Sequence, residues 1–197
     1  MYRAVLDTCA LVPGRQRDFL LQLAAEEAYA PLWGSGILFE LDDVLARLDA
    51  KRGRDGSDER RQNLFRQMKR AFPGASINAP KDREYDYGLN DPHDGHVVHA
   101  AILGKADAIC TDDSRAGFKT SRILSDAGMD IVHPHELAAN TVAAHPEAGV
   151  RALVAMSRRM VTPPRSPLQI LEELRDRYGM DEVAEMLTPL LPEVEVE

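Results

Sequence analysis

At 197 residues and 44% hydrophobic content, the chain can bury the core of one α/β domain and still carry an appendage. Its composition excludes a fibrous or disordered protein, no apolar run reaches the about eighteen residues of a membrane span, and MYRAVLDTCALV reads as a buried strand with no signal-peptide cleavage pattern; a cytoplasmic protein with no membrane association is expected. The net charge of -8 speaks, at face value, against a nucleic-acid ligand.

Residues 2–6 make a short apolar strand ending at Asp7, and a helix follows around residues 15–27. A second apolar stretch, 29–33, leads to Ser35, the expected N-cap of a helix that carries Ile37, Leu38, Leu41, Val44, Leu45 and Leu48 at helical spacing, with Glu40 about one turn from its start. KRGRDGSDER is a charged, glycine-punctuated loop, and Ser57 with Asp58 and Glu59 begins a helix through Phe72. PGASINAP breaks the pattern before a linker ending in Gly88. Asp91 and Pro92 then form an N-cap and first-position pair for a helix to Leu103, which Gly104 stops. A strand at 106–110, a short helix at 121–127 and a last strand at 129–132 follow. Strand alternating with helix at this spacing predicts a mostly parallel sheet flanked by helices on both faces, an α/β fold. From Pro134 the pattern is helical, roughly 135–144, 146–160, 168–178 and 181–191, with TPPRSP at 162–167 as a stiff, extended joint. The expected organisation is a domain over residues 1–133 and a C-terminal helical extension over 134–197.

The most informative residues are acids at the ends of apolar segments: Asp7 after AVL, Glu40 after ILF, Asp94 opening DGHVVHAAIL, and Asp113 after AICT. In a parallel sheet the ligand crevice lies outside the carboxyl ends of the strands, where Asp7 and Asp113 fall. Carboxylates brought within about 4 to 6 Å of one another repel, and their pKa values rise unless a cation neutralises them. Hard oxygen donors with no CxxC or HExxH pattern suit Mg2+ or Mn2+, which bind phosphate oxygens as co-ligands. Each acid also has a plain structural use. Asp91 as an N-cap before proline is explained by capping, Asp94 in the first turn suits the helix dipole, and Asp112 competes with Asp113 for the crevice.

DTCALV at a strand end, SGILFEL in the next helix, DPHDGHVVHAA opening a third and ICTDDSRAGF after the following strand resemble the PIN-domain nucleases, most of all the VapC type, the toxin of a bacterial toxin-antitoxin pair. The resemblance runs over about residues 2–132 and implies a PIN-like three-layer fold. It implies further that Asp7, Glu40, Asp94 and Asp113 are catalytic and metal-binding; by their positions beside these acids, Asp112 and Asp91 are alternative ligands. Threonine, any residue, then acid favours Asp113 over Asp112. Phe118 stands five residues beyond Asp113, where the family often has a phenylalanine about three beyond, and the helical tail exceeds the minimal fold. The implied activity is Mg2+- or Mn2+-dependent hydrolysis of RNA to 5'-phosphate and 3'-hydroxyl ends, with a cognate antitoxin and a homodimer as expected partners. The alternative is a catalytically silent PIN-like module that binds RNA or protein. A haloacid-dehalogenase phosphatase, also suggested by DTC, would need a second aspartate where Cys9 stands.

The distribution of charge along the chain weakens the argument from net charge. From Ser166 onward nine acids face Arg175 and Arg177, a balance of -7, which leaves the rest of the chain nearly neutral. Residues 47–70 carry nine bases against four acids, and 151–165 four arginines with no acid. Arg54, Arg60, Lys69, Arg70, Arg158 and Arg159 are the RNA-contacting residues this pattern offers, against the plain reading of solvated helix faces. His93, His96 and His99, with His133 and His135, lack a zinc-ligand spacing and read as surface or core imidazoles. Cys9 and Cys110 read as reduced, packed thiols.

Overall fold

The computed structural model describes residues 1–54 and 56–191; Asp55 and residues 192–197, with Glu193, Glu195 and Glu197 of the acidic tail, lie outside the described residues. In chain order, β1 (Arg3–Leu6) is followed by the short helix α1 (Thr8–Leu11), α2 (Gly14–Ala25), β2 (Ala30–Gly34), α3 (Ser35–Lys51), α4 (Ser57–Ala71) and β3 (Ser76–Ile77). A 3-10 turn (Pro92–Asp94) runs into α5 (Gly95–Gly104), then come β4 (Ala108–Cys110), a second 3-10 turn (Phe118–Thr120), α6 (Arg122–Asp126) and β5 (Asp130–Val132). Helices α7 (Pro134–Ala144), α8 (Pro146–Arg159), α9 (Pro167–Tyr178) and α10 (Asp181–Leu187) follow, with a closing 3-10 turn (Thr188–Leu190). No helix of the described residues is long and apolar enough to cross a membrane.

The described strands form one five-stranded sheet in the order β3-β2-β1-β4-β5, and every pairing is parallel. The expected α/β fold with flanking helices is therefore present. The register sets Val5 against Leu32 on one side and Val5 against Ile109 on the other, so β1 is central. Ala4, Val5, Leu6, Ala108, Ile109 and Cys110 are all fully buried, the continuous apolar runs that a sheet covered on both faces requires. Helix α5 packs on β1, β2 and β4 and buries Val97, Val98, Ala100 and Ala101 completely. Each such valine removed from water contributes roughly 1.5 to 3 kcal/mol.

Two local expectations changed. Ser35 is the first residue of α3 rather than its cap, and its hydroxyl accepts from the Ala79 N–H at 3.1 Å. That bond ties the stretch after β3 to the start of α3, a long-range use of serine that no local pattern announces. The TPPRSP joint turns instead of extending, with Val161 and Pro164 in an isolated antiparallel bridge.

Compact units do not follow chain order. One holds residues 2–12 with 30–132, the sheet and α3 to α6; the other joins Met1 and residues 13–29, hence α2, to the chain from His133 onward. The contiguous division at residue 133 thus differs from the packing at one element. Helix α2 packs on α7, α8 and α9, with Phe19, Leu20 and Leu23 fully buried. Sequence proximity assigns α2 to the sheet, but an apolar face is claimed by whichever surface buries it.

Candidate functional site

The chain leaves β1 for β2 on one side while β4 lies on the other, and in parallel sheets such a reversal opens a crevice outside the carboxyl ends of the strands. Asp7 is the residue after β1, and Thr111, Asp112 and Asp113 follow β4 directly. Helix α5 precedes β4, and a helix feeding a parallel strand starts at the sheet's carboxyl edge, which brings Asp94 there. Glu40 sits in the second turn of α3, which leaves the carboxyl end of β2.

Asp7 is only 7% exposed and takes its hydrogen bonds from neutral donors. The Thr8 N–H reaches Oδ1 at 2.7 Å, the Thr111 hydroxyl reaches Oδ2 at 2.7 Å, and the Cys9 thiol donates to Oδ2 at 3.4 Å. Burial pushes the Asp7 carboxyl above the usual aspartate range, against the pull of those donors. Burial, and then the Asp7 charge, push Cys9 up to about 12, so it stays a thiol.

Asp94 is half-buried and its carboxyl is raised to about 6, first by burial and then by the charges of Asp7, Asp91, Asp113 and Glu40. Five acids therefore share one field, the effect that gathered carboxylates should produce. Asp113 is fixed by its loop: Oδ1 accepts from the N–H groups of Arg115 at 2.7 Å and Ala116 at 3.2 Å, and its own N–H donates to Thr111 Oγ1 at 3.0 Å. Asp112 is exposed, with its N–H on Cys9 Sγ at 3.1 Å. Asp91 caps the turn, accepting from the His93 N–H at 2.9 Å, as the capping reading expects.

Glu40 differs from the rest. Its Oε2 accepts from the Thr8 hydroxyl at 3.0 Å and faces His96 Nε2 at 3.4 Å, while Oε1 accepts from the Lys81 ammonium. Burial alone would raise this carboxyl, but the His96 imidazole, Lys81 and Thr8 outweigh it and hold Glu40 at about 2. His96 is fully buried, with Nδ1 on the His93 carbonyl at 2.9 Å. Its approach to α3 requires Gly36, where an added Cβ would stand 2.5 Å from His96 Cδ2. His99 bonds the Tyr87 hydroxyl at 2.8 Å and lies tilted against Tyr85 with ring centroids 4.5 Å apart, and His133 stacks on His135, so these imidazoles make packing contacts.

Lys81 was missed by sequence reasoning. It stands in a charged linker with no periodicity, and only the packing of that linker on α3 gives it a partner. The basic residues singled out in the sequence lie elsewhere: Arg60, Lys69 and Arg70 are exposed on α4, and Arg54 pairs with Asp49 at 3.7 Å. Arg158 and Arg159 end α8 in the helical unit, where Arg159 donates to Gln22 at 2.7 Å. Cys110 is buried, and neither it nor Cys9 forms a disulfide.

The donor set suits a hard divalent ion, since it offers carboxylate oxygens and hydroxyls while the one neighbouring sulfur is held protonated. Among the described residues, no three histidine, cysteine, aspartate or glutamate side chains are grouped tightly enough to hold an ion as they stand. Mutual repulsion opposes closer approach, and Glu40 is occupied by Lys81. An ion would have to draw the carboxylates in.

Acids at the carboxyl ends of β1 and β4 in a parallel α/β sheet fit a nuclease-type fold. The family model for the PIN domain matches residues 3–115, more than half of the chain, and the protein belongs to that family. PIN domains are generally nucleases, hydrolases that typically use divalent metal ions. No curated protein and no solved structure matches the chain.

Proposed function

We propose that the protein is a Mg2+- or Mn2+-dependent endoribonuclease and the VapC-type toxin of a toxin-antitoxin pair. The observation that carries the reading is the convergence of Asp7, Asp94 and Asp113 at the carboxyl edge of a PIN-domain sheet, where burial first, and then the charges of the neighbouring acids, raise the Asp94 carboxyl to about 6. Asp7, Asp94 and Asp113 would hold the ion, with Glu40 as a further ligand or the residue that orients the attacking water. An ion held by these residues would supply Lewis acidity and charge stabilisation for phosphodiester hydrolysis.

The chain's own groups do the rest. Thr8 and Thr111 orient Asp7 through both its oxygens, directly or by backbone. Thr111 also fixes the loop that presents Asp113. Glu40, ionised at every physiological pH, is charged for either role, as a further ligand or as acceptor of a hydrogen bond from the attacking water. Exposed bases on α4, Arg60, Lys69 and Arg70, steer the RNA backbone, and an unpaired strand or loop is the fitting target. A cognate antitoxin restrains the enzyme by presenting a cationic side chain to the acids, and the toxin acts as a homodimer.

The test is incubation of the purified protein with a pool of single-stranded and structured RNA in Mg2+, Mn2+ or EDTA, beside an Asp7→Ala/Asp94→Ala variant. Metal-dependent cutting lost in the variant is the expected outcome. No cutting with either metal by folded protein would overturn the reading in favour of a silent RNA- or protein-binding module.

A further inference from the structure

Lys81 is not a casual surface lysine, because the backbone on either side of it is built onto the site. The Gly36 N–H donates to the Ala79 carbonyl at 2.9 Å and the Ala79 N–H to Ser35 Oγ at 3.1 Å, so residue 79 is tied twice to the first turn of α3. Pro80 is tied as well, its carbonyl accepting from the Tyr85 hydroxyl at 2.9 Å. Tyr85 in turn packs against Gly95, where an added Cβ would stand 2.6 Å from Tyr85 Cβ. Lys81 therefore reaches Glu40 Oε1 from an anchored stretch of chain, while the Thr8 hydroxyl donates to Oε2 and His96 Nε2 stands 3.4 Å from it.

Pre-anchoring matters energetically. Exposed ion pairs are weak chiefly because two long side chains must be ordered in high dielectric. Here Glu40 is held on three sides and its side chain is 18% exposed. A carboxylate satisfied in this way is not offered to an incoming cation.

We propose that Lys81 is a positioning residue whose ammonium holds Glu40 in an internal ion pair that competes with the divalent ion for the same carboxylate, so that Lys81 sets metal affinity through Glu40. The proposal rests on the reading of the acids as a metal site. Any ion that recruits Glu40 must release Lys81, and the released ammonium then stands beside the carboxylates, where the anionic substrate would be. Binding of ion and pairing of Lys81 are thus coupled through one side chain, and such coupling is reciprocal.

Mn2+ binding to the full chain, measured by calorimetry at fixed pH and ionic strength, tests it. Wild type is compared with Lys81→Met, Lys81→Arg, Glu40→Gln and the Lys81→Met/Glu40→Gln double variant, each checked for folding by circular dichroism. Lys81→Met should tighten Mn2+ binding about fivefold or more, Lys81→Arg should stay near wild type, and the effect of Lys81→Met should vanish in the Glu40→Gln background. Unchanged or weaker binding by Lys81→Met would overturn the proposal. So would equal tightening with and without Glu40, which would mean a long-range field, or Mn2+ binding by none of the proteins. RNA cleavage run in parallel separates the two readings. Intact coupling without cutting sinks the ribonuclease alone, and cutting without coupling sinks this inference alone.

Discussion

Two shielded carboxylate environments in this chain have opposite chemistry. In the helical unit, Glu173 on α9 meets Arg15 at 3.2 Å, Arg177 at 3.3 Å and Arg165 at 3.8 Å, so its charge is answered from within the chain. In the sheet unit, Asp7 takes bonds from a backbone N–H, a hydroxyl and a thiol, and Asp94 is surrounded by other acids. The first is a structural ion cluster. The second is left with uncompensated negative charge, which is the condition for recruiting a cation from solution. Burial of an acid therefore says little about function until its partners are known.

That contrast can be broken by substitution. The largest expected effect is on turnover: Asp94→Asn should lower RNA cleavage about a thousandfold, the equivalent of several kcal/mol of lost charge stabilisation, with an unchanged circular dichroism spectrum. Normal turnover by this variant would remove the central assignment. Next comes the ion itself. At a hundredfold excess over its dissociation constant, Mg2+ should stabilise the wild type by about 2.7 kcal/mol, read as a rise in Tm that Asp7→Asn/Asp94→Asn abolishes. A shift retained by the double variant would mean the ion binds elsewhere.

The helical cluster should behave in the reverse sense. Glu173→Gln leaves three guanidinium groups facing one another and should cost about 1 to 2 kcal/mol in urea unfolding, while cleavage per folded molecule is retained. A large loss of activity without a loss of stability would put Glu173 in the working machinery.

The smallest effect is in pH dependence. The Asp94 carboxyl stands at about 6 in the fold against an ordinary 3.8, so the folded metal-free protein holds this proton more tightly than the unfolded chain. The associated stability is fully present below about pH 4 and is lost as pH rises to about 6. Glu40, held at about 2, runs the other way, adding stability above its ordinary 4.5 that is lost as pH falls toward 2. In metal-free buffer Asp94→Asn should therefore gain Tm over wild type progressively from pH 4 to 6. The gain should level off near 1 kcal/mol, since the half-exposed group is partly screened by water. A difference independent of pH would show that the asparagine acts through packing alone.

The parallel α/β fold and the positions of Asp7, Asp94 and Asp113 at element ends were legible in the residues alone. Strand and helix periods are local, and an acid that terminates an apolar run is visible without coordinates. Family membership was legible for the same reason, because the motifs keep their order along the chain. Three things were decided only by tertiary structure. Strand β3 is two residues long and has no pattern to read; it exists because Trp33 and Gly34 offer a ladder to Ser76 and Ile77. Helix α2 joins α7, α8 and α9, a choice made by which apolar surface covers Phe19 and Leu20. Lys81 meets Glu40 across 41 residues of sequence, through a linker whose hydrogen bonds to α3 no local rule encodes. Local propensity places each acid on its element, but which charges answer one another is a property of distance in space, and that is settled only when the elements pack.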